Sequence, residues 1–540
     1  MPRSTTEDPA PAQAPAAAIE TVEKKEDNPT SPSPPPVERK PSLYVQLKQK
    51  RKGNLLGVPS HVVSSSSVAS SRRSMLSNAS GSQSDGSRKN FMNQLDDDDI
   101  WAAGELDDGY DGSISNRQER LIDYNFDILM GLMKKIVAHR RSKGIEEVKG
   151  ALELENFKPN SALEEVTEII PLSSSDKNDS SSILKKKVRP EDVVLPLKVD
   201  SQLREYVTMI ACMYRDNRKS MLYVREVFTC IVVSCSSRPD TYHCCNTATL
   251  AFHNLEHASH VLLSAQKLLN RICKEQENLP LSARDESKPS FLGYTKTITD
   301  DPLLQFAIVF AALVHDVDHC GVPNFTLVKE SAHLAELYKN KSVAEQNSLD
   351  LAWDLLMSKN YRDLQRCIFG NQEELQRFRQ LVVNVILATD IFDKDMKAIR
   401  DSRWEKAFPE EGKEVNLSEE DDRNLKSTIV IEYIMQASDV SHTMQHWMIY
   451  QRWNENLFEE MYSAYKVGRA DKDPSEGWYK GELWFFDNYV IPLAKKLKDC
   501  GVFGAASDEC LNYAIANRKQ WEQEGESIVK EFVAKYAEQS

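Results

Sequence analysis

The chain has 540 residues, 28% of them charged, with a formal net charge of −14 and a pI near 5.4. An acidic balance of this size argues against a nucleic-acid-binding protein, which presents a basic face, and apolar runs such as "LLQFAIVFAALV" (303–314) are too short to span a bilayer. The opening "MPRSTTEDPAPAQAPAAAIE" lacks the apolar core of a secretory signal, and ten cysteines without regular spacings suit a reducing compartment. A cytoplasmic protein is the expectation.

Residues 1–115 are rich in Ser, Pro, Ala and charge, as in "NPTSPSPPPVERKPS", and close on the acidic "LDDDDIWAAGELDDGYDG". Such a segment buries too little apolar surface to offset its backbone entropy, so a disordered tail is expected. The serines beside Arg72 and Arg73 are candidate phosphorylation positions, although a solvated tail explains them as well.

A helix is expected over 116–141. Ser115 and Gln118 have capping-box spacing, and Ile122, Phe126, Leu129, Met133 and Ile136 form one apolar stripe. The stripe is expected to pack on the main domain, with a homodimer through the same helix as the alternative, because so few heptads rarely hold a dimer alone. The polar "PLSSSDKNDSSSILKKKVRPED" completes a 116–194 segment of helix plus linker.

From residue 195 to 540 the apolar spacing is almost wholly helical, as in "LDLAWDLLMSKN", "LQRFRQLVVNVILATD" and "NLKSTIVIEYIMQASDV". The fold class expected is all-α, a large multi-helix domain with its core between helices.

The chemistry lies at the ends of apolar runs. In "FHNLEHA" (252–258), His253 and His257 are four apart and share one helix face. His315 and His319 repeat the spacing in "HDVDHCGVPN" (315–324) and enclose two aspartates. Asp390 ends "ILATD", and Asp439 lies in "QASDVSH". A lone histidine on an apolar helix is more often a satisfied core residue, but two such pairs with clustered aspartates mark a metal site. Mixed imidazole and carboxylate donors suit Zn²⁺, while carboxylate and water suit Mg²⁺ or Mn²⁺. A carboxylate shared by two ions gives a two-metal centre, the chemistry of phosphoester hydrolysis.

These motifs, in this order, resemble the class I 3′,5′-cyclic nucleotide phosphodiesterases, whose signature is H-N-x-x-H-A, then H-D-x-x-H-x-G-x-x-N, then a later Asp. The resemblance covers about 195–540 and implies an all-α catalytic domain of the HD phosphohydrolase type, two divalent cations (Zn²⁺ and Mg²⁺, or Mn²⁺) and a cyclic nucleotide substrate, cAMP or cGMP. It implies His257, His315, Asp316 and Asp439 as metal ligands, with Asp316 shared between the ions. It implies that His319, Glu345 and Thr389 orient the surrounding waters, and that His253 is the acid protonating the departing O3′. It places the base between Phe485 and Leu457, near His442 and Glu482.

Three departures follow from the resemblance. Glu482 stands where the family has glutamine; an ionised carboxylate only accepts hydrogen bonds where an amide also donates, so weak nucleotide affinity is expected unless Glu482 is protonated or turned away. His442 and Thr443 stand where many members have Asn-Pro, which blurs a choice between cAMP and cGMP. Between "MYRDN" and "FHN", residues 218–251 read unlike their neighbours, as an insertion or a retained intron; Cys230, Cys235, His243 and Cys244 there fit no standard zinc spacing.

Three rival readings share these residues. "HNLEH" fits the inverted zinc-protease pattern with Glu256 as base, but this leaves "HDVDHCGVPN" and Asp439 without a role. Another HD-type phosphohydrolase shares the ligand order. A degenerate module that binds nucleotide or partners without turnover accommodates Glu482 and the insertion.

Overall fold

The computed structural model describes residues 114–144, 157, 159–172, 188–214, 250–278, 292–410, 416–503 and 507–537. The expected 1–115 tail (apart from Ile114 and Ser115) and the 218–251 insertion (apart from Leu250 and Ala251) lie outside the described residues, as does the cysteine cluster.

The architecture is all-α, with no strand among the described residues. The principal helices are α1 (Ile114–Lys143), α2 (Val199–Met213), α3 (Leu255–Asn278), α4 (Pro302–Val314), α5 (Val343–Leu356), α6 (Gln372–Leu387), α7 (Lys394–Ala407), α8 (Glu419–Asp439), α9 (Trp447–Lys466), α10 (Trp478–Phe485), α11 (Ile491–Asp499) and α12 (Glu509–Ala537). No single described helix is long and apolar enough to cross a membrane.

The organising element is α4. Asp301 caps it, its carboxylate accepting from the amides of Leu303 and Leu304 at 3.1 Å each, and Pro302 supplies a first residue already set to helical φ. Arg377 pairs with the same carboxylate. Every residue from Leu303 to Val314 is buried, so the helix has no solvent face and is enclosed by α1, α3 and α6. Its C-terminal end, and therefore His315, is delivered to the interior. The chain then turns sharply: Asp318 and Gly321 have φ of 61° and 66°. A Cβ at Gly321 would lie 2.5 Å from the Leu250 side chain, so this turn needs glycine twice over.

Helix α1 starts earlier than expected, at Ile114, so Ser115 lies within the helix and not at its cap. Its stripe of Ile122, Leu129, Met133 and Ile136 is buried, with Phe126 packed beside it. The partners are α2, α3 and α4 of the same chain. The face that the sequence offers to a homodimer is therefore covered internally. Buried Asn125 donates to Ser259 Oγ on α3 at 2.9 Å. Buried Arg140 donates to the Cys367 carbonyl at 2.8 Å and to that of Ile368, satisfying the open end of helix Arg362–Ile368, and pairs with Glu374.

The segment after α1 is equally embedded. Thr167 exchanges two bonds with the Asn384 side chain, at 3.2 and 2.8 Å, and the Ile170 amide donates to Thr428 Oγ1 at 3.0 Å. Arg403, fully buried, makes two parallel bonds to Glu432 at 2.8 and 2.9 Å and a third to the Thr167 carbonyl at 3.2 Å. One apolar core runs from Ile122 to Tyr536, and a boundary at residue 195 cuts through it.

A fragment beginning at residue 195 is expected to unfold at lower temperature than one beginning at 114, because α4 would lose a covering helix. In the full chain, Arg140→Ala should cost roughly 2–4 kcal/mol by leaving buried carbonyls without donors; thermal and urea denaturation check both.

Candidate functional site

Two helix ends and one helix start converge at the floor of the site. Asn254 precedes α3 and caps it: its Oδ1 accepts from the amides of Glu256 and His257 at 2.9 and 3.1 Å while its NH₂ donates to the carbonyls of Leu250 and Ala251. This cap fixes His257 in the first turn of α3. Helix α4 ends at Val314, before His315 and Asp316, and α8, buried on all sides from Asn424 to Ser438 apart from Lys426, ends at Asp439.

The four expected metal ligands meet. His257 Nε2 lies 3.1 Å from Asp439 Oδ1 and 3.6 Å from Asp316 Oδ2; His315 Nε2 lies 3.3 and 3.1 Å from the same two oxygens. Both histidines are fully buried. The His315 Nδ1–H is placed to donate to the Ala312 carbonyl at 3.0 Å, which leaves Nε2 as the lone-pair nitrogen. Donor atoms of His257, His315 and Asp439 thus lie within 4.8 Å of one another, with Asp316 against the two imidazoles. Burial opposes a charge on His315, yet Asp316 and Asp439 together draw its pKa well up. The Asp439 pKa is driven down against its own burial by His257 and His315. A field that attracts a proton this strongly attracts a cation, so the donor set fits a divalent metal ion.

His253 belongs to a separate cluster. Its Nδ1 is 2.5 Å from Glu460 Oε1, and Glu460 Oε2 accepts from the backbone amides of Phe252 and His253 at 2.8 and 3.0 Å. Burial works against a charge on His253, but Glu460 raises its pKa to about 9. His253 is therefore the imidazolium at neutral pH, with its other nitrogen free of this pair. His319 packs on it with ring centroids 3.8 Å apart and accepts from the Gly321 amide at 3.2 Å. Burial and the adjacent His253 cation push His319 down to about 3, so it is neutral. His253, His319 and Glu460 are close enough to hold an ion, but the His253–Glu460 pair and the two backbone amides already occupy these groups.

Glu345, from the first turn of α5, joins a third group. Asn324 donates to Glu345 Oε2 at 3.0 Å and to Asp390 Oδ2 at 3.2 Å, and Ser342 donates to Asp390 Oδ2 at 2.8 Å. Burial and the Asp390 charge raise the Glu345 pKa to about 8. Thr389 is turned the other way, its hydroxyl donating to the Ile386 carbonyl at 2.8 Å; its neighbour Asp390 makes the connections to Asn324 and Ser342.

Of the remaining expected residues, Leu457 lies on α9, Glu482 and Phe485 on α10, and His442 in the short helix Ser441–Met444 between α8 and α9. Leu457 and Phe485 are half-buried, and Phe485 stacks on Tyr489 with centroids 5.2 Å apart. His442 is buried between Phe252 and Trp453, at centroid distances of 5.6 and 6.2 Å, and burial with nearby His260 holds it neutral. Glu482 accepts from Tyr450 Oη at 2.9 Å.

Glu460 and Asn254 carry roles that the sequence reading did not assign. Glu460 follows Trp453 and Leu457 at i+7 and i+3 on α9, so an acid on an apolar stripe was the available signal. The zinc-protease reading fails on geometry: Glu256 is paired with Arg117 at 2.5 Å and Arg452 at 3.1 Å, and His253 is bound to Glu460.

The family model for 3′5′-cyclic nucleotide phosphodiesterase matches residues 252–506. This region belongs to that family. A probable 3′,5′-cyclic-AMP phosphodiesterase of Caenorhabditis elegans is 31% identical over 219 residues, covering 38% of this chain and 30% of the relative. The 3′,5′-cyclic-AMP phosphodiesterase 4C of Mus musculus is 29% identical over 255 residues, covering 45% and 33%. The chain thus spans about a third of the length of the curated relatives it matches. The phosphodiesterase domain of a rhodopsin fusion protein from Salpingoeca rosetta aligns with TM-score 0.42 and 20% identity over 63% of this chain and 86% of that one. The family is metal-dependent, in agreement with the donor set at His257, His315 and Asp439.

Metal analysis of the purified chain should find bound divalent cation. Asp439→Ala and His315→Ala should each lower its retention through dialysis by roughly tenfold or more, while Glu256→Gln should leave it unchanged.

Proposed function

We propose that the chain hydrolyses the 3′-phosphoester bond of 3′,5′-cyclic nucleotides, yielding 5′-nucleoside monophosphates in cyclic nucleotide signalling. The observation that carries this reading is the placement of the His253–Glu460 pair beside, but apart from, the His257–His315–Asp316–Asp439 donor set. Those four residues would hold the divalent cations, which we assign as Zn²⁺ together with Mg²⁺ or Mn²⁺, two per catalytic domain. Bound there, they would supply Lewis-acid neutralisation of the phosphoryl charge and lower the pKa of water.

The chain's own residues do the rest. Water oxygen bonds to phosphorus as the P–O3′ bond breaks in line; the departing O3′ takes the proton from His253, and the proton given up by the attacking water passes to solvent, from which His253 is reprotonated. Glu460 holds that imidazole in position and stabilises its charge before the transfer. His319, neutral at working pH, packs against His253 without competing for the proton. Glu345, Asn324 and Asp390 offer a hydrogen-bonded rim suited to ordering water. Phe485 and Leu457 supply apolar surface for the base, with His442 and Glu482 at its edge. The catalytic unit includes α1 and the 159–172 segment, since these share its core.

The full chain, supplied with Mg²⁺, is expected to hydrolyse cAMP or cGMP, and Asp439→Ala to abolish the turnover. Turnover that survives in Asp439→Ala would refute the reading. If the chain binds nucleotide but never hydrolyses it, the degenerate-module reading takes its place. His253→Ala should lower kcat by roughly 10²–10⁴-fold. Because the acid must carry its proton, the rate should fall as pH rises through about 9. Glu460→Gln removes the charge that raises this pKa, and should move the alkaline limb to lower pH.

A further inference from the structure

Two groups of side chains among the described residues bring metal-ligating atoms within 4.8 Å of one another. His257, His315 and Asp439 belong to the centre described above. His253, His319 and Glu460 form the other, and each comes from a separately anchored element. Glu460 stands on α9 with its side chain only 3% exposed, and the amides of Phe252 and His253 hold its Oε2 at 2.8 and 3.0 Å. Its Oε1 is thereby aimed at His253 Nδ1, 2.5 Å away. His319 stands in the turn after α4. Arg469 donates to the Cys320 carbonyl at 2.8 Å and makes two bonds to Glu330 at 2.8 and 2.6 Å, which ties that turn down.

Two imidazoles and one carboxylate, the carboxylate itself hydrogen-bonded to backbone, make a zinc donor set that leaves a fourth position for water. His319 offers a lone pair at Nδ1, which the Gly321 amide reaches at 3.2 Å, and its ring centroid lies 3.8 Å from that of His253. The backbone amides hold Oε2 of Glu460 and leave Oε1 to His253. What joins these two side chains is a proton, and a cation can take its place. Donor atoms around a tetrahedral zinc stand about 3.3 Å apart, so the contact has only to widen slightly. The partly exposed His253 side chain gives an ion a way in. Mg²⁺ demands oxygen donors in an octahedral array and does not suit these groups.

We propose that His253, His319 and Glu460 form an inhibitory cation site, separate from the metal centre and selective for Zn²⁺ over Mg²⁺. Zn²⁺ entering it expels the proton between His253 and Glu460 to solvent and fixes the His253 ring by its Nδ1. The Nε2–H that remains belongs to a metal-bound imidazole without the extra proton of the imidazolium. It is a weaker acid, and the departing O3′ loses its proton donor. The centre with two imidazoles and two carboxylates fills first, and the three-donor site fills only at higher zinc. Excess zinc therefore stops the reaction at the acid. The site rests on the placement of its three donors, and the inhibition rests on the phosphodiesterase reading above.

The test is equilibrium dialysis of the full chain against increasing Zn²⁺ in excess Mg²⁺, counting bound zinc per chain, beside turnover of cyclic nucleotide at the same zinc levels. At high zinc the wild type should hold about one ion more than Glu460→Gln or His319→Ala. The same difference should separate Asp439→Ala from the Asp439→Ala/Glu460→Gln double variant, which assigns the lost ion to this site and not to the main centre. Any other zinc-binding groups of the chain are common to these pairs and cancel. Retention of the main-centre ion by the two single variants shows that they are folded. Over the same range, turnover should fall by roughly tenfold or more in the wild type, while whatever turnover Glu460→Gln retains should not respond. Equal zinc counts in wild type and Glu460→Gln, or an extra ion that leaves wild-type turnover unchanged, overturns the inference. A chain that hydrolyses nothing but shows the difference in zinc count would sink the phosphodiesterase reading and keep the site. Hydrolysis with equal counts would do the reverse.

Discussion

The hydrogen bond from His315 Nδ1 to the Ala312 carbonyl is a small feature with wide consequences. It fixes a fully buried imidazole so that its lone pair faces two carboxylates, an arrangement that is repulsive unless something positive occupies the space between them. The bond exists because α4 ends where it does, and α4 ends inside the protein because no residue from Leu303 onward accepts solvent. Capping at Asp301, enclosure by α1, α3 and α6 and the left-handed turn at Asp318 and Gly321 all serve one placement. His257 and Asp439 are brought to the same point by the first turn of α3 and the last turn of α8, so the site is as rigid as the helices that build it.

A second ion pair is kept apart from the first. His253 and His257 are one helical turn apart in sequence, yet their surroundings set opposite tasks. His257 faces aspartates that a cation would share, while His253 is held by one glutamate which also binds two backbone amides. A proton on His253 is thereby favoured by a partner that a metal ion would not need. The proposed split of acid and ligand duties between neighbouring histidines needs two environments a few ångströms apart, and α9 packed against the loop before α3 provides them.

Much of the candidate metal site is legible in the sequence because it is local. Spacings of four residues place side chains on one helix face, and apolar runs ending in His or Asp predict a buried helix delivering a charged end. The pairings that give those residues their roles were not legible, because they cross the chain. Glu460 meets His253 from over two hundred residues away, and Tyr450 reaches Glu482 from the preceding long helix. The same limit explains why the segment before residue 195 reads as a helix packed on the main domain plus a polar linker, with none of its anchors identified. Its amphipathic stripe was plain, but its polar anchors were not: Arg140 on the carbonyls of Cys367 and Ile368, and Thr167 on Asn384. The resemblance implies Thr389, while the carboxylate of its neighbour Asp390 accepts from Asn324 and Ser342, a one-residue distinction that only side-chain direction resolves.

The central claim is that a buried imidazole–carboxylate cage and a separate protonated histidine cooperate to break one particular bond, P–O3′. Identification of the product from cAMP, by chromatography against authentic 5′-AMP and 3′-AMP, tests it most directly. The account predicts 5′-AMP alone, formed only with divalent cation present, stopped by a chelator and restored by added metal. Formation of 3′-AMP, or turnover indifferent to the chelator, would contradict it.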